Sequence, residues 1–199
     1  MAPRTIEYFY SAHSAFAYLG APTLARIAQA SGRRIVHRPF DFWPVVTGAG
    51  ASKTRSKAHR DYFFGRELVR WAEWRDLPIL RHRPVHHDNT LAPASGMIIA
   101  STDPDALSFA ILQAHWRDDA DIADRATLDA IATAAGQDGA ALFEQGQSED
   151  AQRIFAANTA EAIARGVFGS PTYFVDGDMF YGQDRLDFVA RAVDRPFGD

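Results

Sequence analysis

The stretch Gly166-Val-Phe-Gly-Ser-Pro-Thr-Tyr-Phe-Val-Asp-Gly-Asp-Met-Phe-Tyr-Gly-Gln-Asp184 decides the fold of this chain. Small residues lead into Pro171, and the β-branched and aromatic run that follows at 172–175 predicts a strand. Asp176-Gly177-Asp178 separates this run from a second apolar run at 179–181, which predicts a tight turn. The segment therefore predicts a β-hairpin that is entered through a proline.

The first forty residues predict a β–α–β unit. Residues 5–10 form a β-branched and aromatic run that is typical of a strand. Apolar residues at helical spacing follow, with Ser14, in competition with Ser11, as the candidate N-cap and Gly32 as the residue that ends the helix. A second strand over 34–38 completes the unit, which implies parallel strands joined by a right-handed crossover.

The middle of the chain predicts a helical insertion. The small-residue segment 45–56 is expected to be a loop, 57–75 a helix, and the proline-containing segment 77–91 an extended connection. Further helices are predicted over residues 92–101, 104–116, 125–135, 148–165 and about 184–193. The fold class is therefore mixed α/β, with one domain made of residues 1–40 and 155–199 and a helical insertion domain at 41–154.

Composition excludes several classes of function. The chain has 199 residues, 47% of them hydrophobic, which suits one domain with a large insertion. The formal net charge is −4 without a basic run, so nucleic acid is not an expected partner. No apolar stretch reaches the roughly 20 residues of a membrane span, and no signal segment is visible, so we expect a cytoplasmic protein. The chain has no cysteine, which excludes disulfides and cysteine-based catalysis.

Two motifs give the chain a resemblance to a known family. The motifs are Gly166 to Leu186 and Tyr8-Phe-Tyr-Ser-Ala-His-Ser-Ala-Phe-Ala-Tyr-Leu19. With them nearly the whole chain resembles the 2-hydroxychromene-2-carboxylate isomerase family, which is close to kappa-class glutathione transferases and to the DsbA-like branch of thioredoxin folds. The resemblance implies a thioredoxin-like fold (β-α-β … α-β-β-α) interrupted by a large all-helical insertion, and a homodimer. The chain departs from the family at Ala15, often proline there, and at Ser170, often valine.

The resemblance implies a catalytic serine and glutathione as the cofactor. Ser14 stands where redox relatives carry the first cysteine of Cys-x-x-Cys, and in isomerase-type members this serine contacts the sulfur of bound glutathione. The start of a helix offers unpaired N–H groups and a partial positive charge, and both favour an anion. We therefore expect Ser14 to stabilise the glutathione thiolate. The alternative is a serine that only caps its helix.

The resemblance places the rest of glutathione on two further segments. Ser170 and Pro171, the latter in cis, are expected to present backbone groups to the tripeptide as an added strand. The alternative is a trans proline that only opens a strand. Residues that resemble the family segment before the last helix are expected to hold the γ-glutamyl end: Tyr181, Gly182, Gln183 and Asp184. Asp184 as a plain helix N-cap is compatible with this role.

The reaction that the family implies is a cis–trans isomerisation with ring opening of a small aromatic keto acid. Glutathione thiolate adds to the conjugated double bond, the resulting single bond rotates, and loss of the thiolate returns glutathione unchanged. The substrate carboxylate and phenolate need cationic or hydrogen-bonding partners, for which we predict Lys53, Tyr62 and Asn89. Other candidates are Arg55, Lys57, Arg60 and Thr90, with Phe42, Trp43 and Trp71 as rings that stack on the substrate or fill the core.

Two other functions remain open on sequence grounds. A kappa-like glutathione transferase that acts on electrophiles would use the same thiolate site. A non-catalytic thioredoxin-like binding module would show no measurable affinity for glutathione. His82, His86, His87 and Asp88 offer metal-ligand types, but this proline-interrupted run lacks the spacing of a zinc site, so we expect no metal.

Overall fold

A four-stranded mixed sheet forms the centre of the computed structural model, which describes residues 4–50 and 56–198. The strands are β1 Thr5–Tyr10, β2 Arg34–Pro39, β3 Thr172–Val175 and β4 Asp178–Tyr181, in the order β2-β1-β3-β4. β1 and β2 are parallel, whereas β1 with β3 and β3 with β4 are antiparallel. The predicted β–α–β unit and the predicted hairpin are therefore confirmed, and they share one sheet.

The helix α1, Ala15–Ser31, joins β1 to β2 and starts at the candidate site. Ser14 has extended backbone angles, and its hydroxyl accepts a hydrogen bond from the N–H of Ala17, as an N-cap does. Gly32 follows the helix in the left-handed conformation, with φ of 63°, and ends it. Both predicted caps are confirmed, and Ser11, the competing cap, is buried before the helix begins.

The insertion is helical, as predicted. Its helices are α2 Phe42–Gly48, α3 Lys57–Asp61, α4 Leu68–Arg75, α5 Ala92–Ala100, α6 Pro104–Arg117, α7 Arg125–Ala134, α8 Gly139–Gly146 and α9 Glu149–Ala164. π-Helical turns at Tyr62–Glu67 connect α3 to α4, and the segment between α4 and α5 has neither helix nor strand. The helix α10, Leu186–Ala192, closes the chain after a short 3₁₀ turn. Among the described helices, none has the length and apolar character to cross a bilayer.

Two helices differ from the prediction. α2 forms in part of the segment that was predicted to be a loop, and its Val45 and Val46 are buried. α8 was not predicted, because glycine stands at both of its ends and lowers its helix propensity. Asp138 caps α8 through the N–H of Ala141, and Leu142 is buried. In both cases tertiary packing stabilises a short helix that local propensity does not indicate.

The larger of two hydrophobic clusters joins the sheet to the insertion. Side chains on one face of β1, including Tyr8 and Tyr10, pack in the same cluster as Leu107 and Ile111 of α6. Alternate residues of a strand point to opposite faces, so Phe9 lies on the other face, in a smaller cluster with Phe40, Val45, Ala162, Val167 and Phe174. Burying each large apolar side chain contributes roughly 1.5–3 kcal/mol. The division into domains at 40/41 and 154/155 stays a prediction.

Candidate active site

Ser14 and Ser170 meet at the head of α1. The Ser14 hydroxyl donates to the carbonyl oxygen of Ser170 at 3.3 Å while it accepts from the N–H of Ala17 at 3.2 Å. The N–H of Ser11 donates to Oγ of Ser170 at 3.0 Å. The structure thus brings the predicted catalytic serine next to the predicted glutathione-backbone segment, although they lie 156 positions apart in the chain.

The peptide bond between Ser170 and Pro171 is cis, as predicted. The loop before it is compact, because the Thr172 hydroxyl donates to the carbonyl oxygen of Gly169 at 2.9 Å. The Tyr181 ring lies directly on Gly169, where a Cβ atom would collide with it. Tyr181 also meets Phe168 edge to face, with ring centroids 4.7 Å apart. Glycine at 169 therefore allows an aromatic side chain of β4 to lie beside Ser170.

A cleft of about 490 Å³ opens in front of these residues. Its sheet-side wall consists of Ser14, Phe168, Gly169, Ser170 and Tyr181. Its insertion wall consists of Arg60, Phe63, Phe64, Arg83, His87, Asp88 and Trp116. His13, Ala15, Phe16, Phe42, Trp43 and Val46 complete the lining. Ligand pockets in proteins have volumes of roughly 300–1,000 Å³ and mainly apolar walls with a few polar groups, so the cleft has the size and character of a small-molecule site.

A hydrogen bond from a side chain of the insertion to the backbone before Ser14 joins the two walls. Nε1 of Trp116, in α6, donates to the carbonyl oxygen of His13 at 2.7 Å. His13 directly precedes Ser14, so α6 contacts the loop that carries the candidate catalytic serine. Trp116 is fully buried, and its ring stacks parallel to that of Phe64, with centroids 6.4 Å apart. The position of the Ser14 loop therefore depends on packing of the insertion.

Positive charge enters the cleft from the insertion. Among the described residues, the arginines of the lining are Arg60 and Arg83. Arg83 makes a two-pronged ion pair with Asp88, in which Nη1 lies 2.9 Å from Oδ2. These hydrogen bonds lower the pKa of Asp88. Guanidinium groups bind carboxylates through paired hydrogen bonds, so this wall can receive an anionic substrate group.

A cluster of three histidines begins at the cleft, where His13 and His87 belong to the lining, and ends at the buried His115. The rings of His13 and His87 are 4.3 Å apart, and Nδ1 of His87 lies 2.9 Å from Nε2 of His115. Burial, together with nearby His115 and Arg83, lowers the pKa of His13 to about 3. Burial is also the main cause of the lowered pKa values of His87 and His115. All three rings are therefore neutral at physiological pH.

Several predicted residues do not reach the cleft lining. Tyr62 is exposed and donates to a carboxylate oxygen of Glu67 at 2.8 Å. Asn89 is exposed and donates to Asp121 at 2.9 Å. Neither residue belongs to the lining, so their substrate-binding role stays a prediction that this geometry does not favour. Lys53, like Arg55, lies outside the described residues. The lesser candidates Lys57, Trp71 and Thr90 also lie outside the lining, whereas Arg60, Phe42 and Trp43 belong to it.

The segment after β4 is divided between the cleft and the core. Tyr181 lines the cleft, whereas Gly182, Gln183 and Asp184 do not. Gln183 is buried, and its side-chain oxygen accepts from the Arg75 guanidinium at 2.9 Å. The carboxylate of Asp184 pairs with Arg185 at 2.7 Å. A role of these three residues in holding glutathione stays a prediction.

The sequence interpretation missed His13, Arg83, Trp116 and Phe168 as lining residues. His13 and Phe168 carried a usable signal, since each lies within two positions of a predicted site residue. Arg83 and Trp116 carried none that identifies a wall, because only the tertiary fold brings their segments to Ser14. Within the described ranges no group of three His, Cys, Asp or Glu side chains has the arrangement of a metal site.

Comparison with known proteins identifies the family. The DSBA-like thioredoxin domain matches residues 5–194. The 2-hydroxychromene-2-carboxylate isomerase of Sphingobium xenophagum is 29% identical over 190 residues, which is 94% of this chain and 96% of the relative. The protein of the same name from Pseudomonas putida is 26% identical over 196 residues, with coverage of 96% and 94%.

The fold is also that of a solved relative. A structure of 2-hydroxychromene-2-carboxylate isomerase matches with a TM-score of 0.79 at 24% identity, and the match covers 96% of this chain and 95% of the other. The resemblance inferred from the two motifs and the thioredoxin-like fold class are thus confirmed. The chain belongs to the DSBA-like thioredoxin domain family.

Proposed function

We propose that this chain is a glutathione-dependent isomerase that interconverts 2-hydroxychromene-2-carboxylate and trans-o-hydroxybenzylidenepyruvate. The observation that carries the proposal is a serine hydroxyl, rather than a thiol, at the head of α1 in the wall of an aromatic cleft. The chain has no cysteine, so a thiol in this site has to come from a ligand. The names of the two curated relatives support the choice of reaction. A homodimer and a cytoplasmic location belong to the same proposal.

The residues on the sheet-side wall fit glutathione. A thiolate beside Ser14 would lie at a helix N-terminus, where the partial positive charge favours an anion. The Ser14 hydroxyl can rotate from the Ser170 carbonyl to the sulfur and still accept from Ala17, because a hydroxyl has one proton and two lone pairs. That rotation also releases the Ser170 carbonyl oxygen, which can then accept from a backbone N–H of the tripeptide.

Glutathione, when bound, would supply a thiolate that adds reversibly to the conjugated double bond of the substrate, so that rotation about this bond becomes free. The chain's own contribution is positioning and electrostatics. Ser14 and the head of α1 stabilise negative charge at one side of the cleft. The lining rings restrict the orientation of an aromatic substrate and exclude water from it.

The insertion wall fits the other end of the substrate. Arg60 and Arg83 belong to the cleft lining, and a guanidinium group is suited to the carboxylate that both forms of the substrate carry. Phe63, Phe64 and Trp116 provide apolar and aromatic surface for the bicyclic or styryl part. The two hydrogen bonds to Asp88 hold the Arg83 side chain in place. Arg83 therefore loses less conformational entropy when it binds an anion.

The experiment that tests the proposal is a conversion assay with controls on the thiol. The purified protein is incubated with 2-hydroxychromene-2-carboxylate and either glutathione, S-methylglutathione or no thiol, and products are separated by chromatography. We expect the benzylidenepyruvate to form with glutathione only, and glutathione to be recovered unchanged. Accumulation of a glutathione conjugate would instead indicate a transferase. Equal conversion of the substrate under all three conditions, or no conversion under any of them, would overturn the proposal.

A further inference from the structure

In the hydrogen-bonded pair of His87 and His115, one ring nitrogen has no partner among the described residues. Nδ1 of His115 lies 3.1 Å from the carbonyl oxygen of Ala120, and its Nε2 lies 2.9 Å from Nδ1 of His87. His115 is fully buried in α6, whereas His87 lines the cleft. The carbonyl of Ala120, the ring of His115 and the ring of His87 thus form a chain of hydrogen bonds that ends at the cleft.

The chain of hydrogen bonds fixes the tautomer of each ring. A carbonyl oxygen only accepts, so Nδ1 of His115 carries the proton. The ring of His115 is neutral, so its Nε2 has a lone pair and accepts from His87. Nδ1 of His87 therefore carries the proton, and Nε2 of His87 is left as an acceptor.

Nε2 of His87 is open to the cleft. No group in residues 4–50 and 56–198 makes a hydrogen bond to this atom, yet it is not among the buried polar atoms that lack a partner. The ring is held on its faces and edges by neighbours, since His13 lies edge to face at 4.3 Å and Trp116 at 5.4 Å. The lone pair is therefore presented to the cleft by a ring that packing keeps in place.

Burial and the surrounding groups keep the His87 ring neutral. Burial, the neighbouring rings of His13 and His115, and the Arg83 cation all oppose a positive charge on His87. Asp119 and Asp121 act in the opposite direction on His115, and Asp88 on His13, but the pKa of each of these rings is still lowered. A neutral acceptor attracts a hydroxyl proton and offers nothing to a carboxylate, in contrast to the two arginines nearby.

We infer that Nε2 of His87 accepts a hydrogen bond from the hydroxyl group of the substrate and selects substrates that carry one. This inference rests on the proposed function and adds the group that the arginines do not recognise. His115 is a positioning residue, because it touches no substrate and sets the tautomer of His87. A site that is built to pair with a substrate hydroxyl rejects the analogue that lacks it, since the bound analogue covers the acceptor and leaves it unpaired.

The tautomers can be tested without any turnover. Nitrogen-15 NMR of the histidine rings distinguishes protonated from unprotonated ring nitrogens, with His87→Phe and His115→Phe spectra used for assignment. We expect both rings to be neutral and protonated at Nδ1 from pH 8 down to pH 6.5, the ordinary pKa of histidine, because burial lowers the pKa of both rings below that value. A proton on Nε2 of His87, or a charged ring at pH 6.5, would overturn the inference.

The recognition of the hydroxyl is tested by a binding cycle in the absence of glutathione. Calorimetry compares trans-o-hydroxybenzylidenepyruvate with trans-benzylidenepyruvate, the same molecule without its ring hydroxyl. We expect the wild type to prefer the hydroxylated compound by about tenfold or more. The preference should disappear in His87→Phe, weaken in His115→Phe, and persist in His82→Phe, which alters an exposed histidine of the same segment outside the lining.

Different results would overturn this inference and the proposed function. Equal affinity of the wild type for both compounds, binding of neither, or an undiminished preference in His87→Phe would overturn the role of His87. The proposed function is tested separately by glutathione binding and by the thiol dependence of conversion, neither of which requires Nε2 of His87. An active, glutathione-dependent enzyme without hydroxyl preference would therefore refute the inference alone.

Discussion

The two walls of the cleft are built in different ways. The sheet-side wall comes from a helix cap and a strand entry, where Ser14 and Ser170 are held by hydrogen bonds to backbone groups. The insertion wall comes from separate helical and irregular segments, which bring Arg83, His87 and Trp116 to the cleft only through tertiary packing. Local rules therefore specify the separate elements of the first wall, although their assembly also depends on tertiary contacts, whereas no local rule identifies the second wall.

The largest effect is expected where the insertion packs most closely. Gly96 of α5 lies against the backbone of Gly146 in α8, and a Cβ atom at Gly96 would collide with the Gly146 carbonyl. We expect Gly96→Ala to lower the free energy of unfolding by about 3 kcal/mol, at the upper end of the usual range for overpacking. The measurement is equilibrium unfolding in urea.

The matched control for this change is Gly65→Ala. Gly65 lies in the π-helical turns and has open space around the position of a Cβ atom. Its replacement should leave the free energy of unfolding unchanged or raise it by about 0.5 kcal/mol, because alanine favours helical backbone. Equal losses in the two variants would show that close packing of α5 on α8 does not control the insertion.

The sheet side depends on a buried cation. The buried side chain of Arg33 binds both oxygens of Asp176, at 2.8 and 2.6 Å, and donates to the carbonyl oxygens of Thr5 and Val193. Asp176→Asn removes the charge that compensates Arg33. Because the Asp176 side chain is 50% exposed and its charge is screened, we expect a loss of about 1–2 kcal/mol at pH 7 in urea unfolding.

The difference in unfolding free energy between the wild type and Asp176→Asn should depend on pH. Arg33 lowers the pKa of Asp176 in the folded state, so this carboxylate stabilises the fold above its unfolded pKa of about 3.9. The contribution is lost as the pH falls through the lower folded pKa, and the difference between wild type and Asp176→Asn should narrow in acid. The control Asp178→Asn, in the same hairpin, should change stability little at either pH. A gap that widens in acid would contradict the account.

A smaller effect should separate the substrate end of the cleft from the glutathione end. Arg83→Gln removes a guanidinium group of the insertion wall, and we expect the KM for the keto acid to rise about tenfold, equivalent to 1.4 kcal/mol, while glutathione affinity stays unchanged. Arg81→Gln, which alters an exposed neighbour outside the lining, is the control for net charge. A parallel loss of glutathione affinity in Arg83→Gln would contradict the assignment of Arg83 to the keto acid end of the cleft.

The sequence predicts the sheet-side wall better than the insertion wall. The sequence predicted the helix cap at Ser14 and the hairpin, because each rests on a few adjacent residues, whereas the cis bond before Pro171 was expected from the family resemblance. It did not predict α8 or the part played by His87, which sits 28 positions from His115 along the chain. Such contacts depend on how α6 and the segment before α5 pack, and residue type and periodicity do not specify that packing.

The central claim is that Ser14 holds a glutathione thiolate, and titration calorimetry of glutathione tests it most directly. Wild type, Ser14→Ala and Ser148→Ala are compared, since Ser148 caps α9 through the N–H of Ala151 as Ser14 caps α1. Both variants should lose about 1 kcal/mol of stability. We expect only Ser14→Ala to bind glutathione about tenfold to a hundredfold more weakly. No binding by the wild type at millimolar glutathione, or equal affinities of wild type and Ser14→Ala, would contradict the claim.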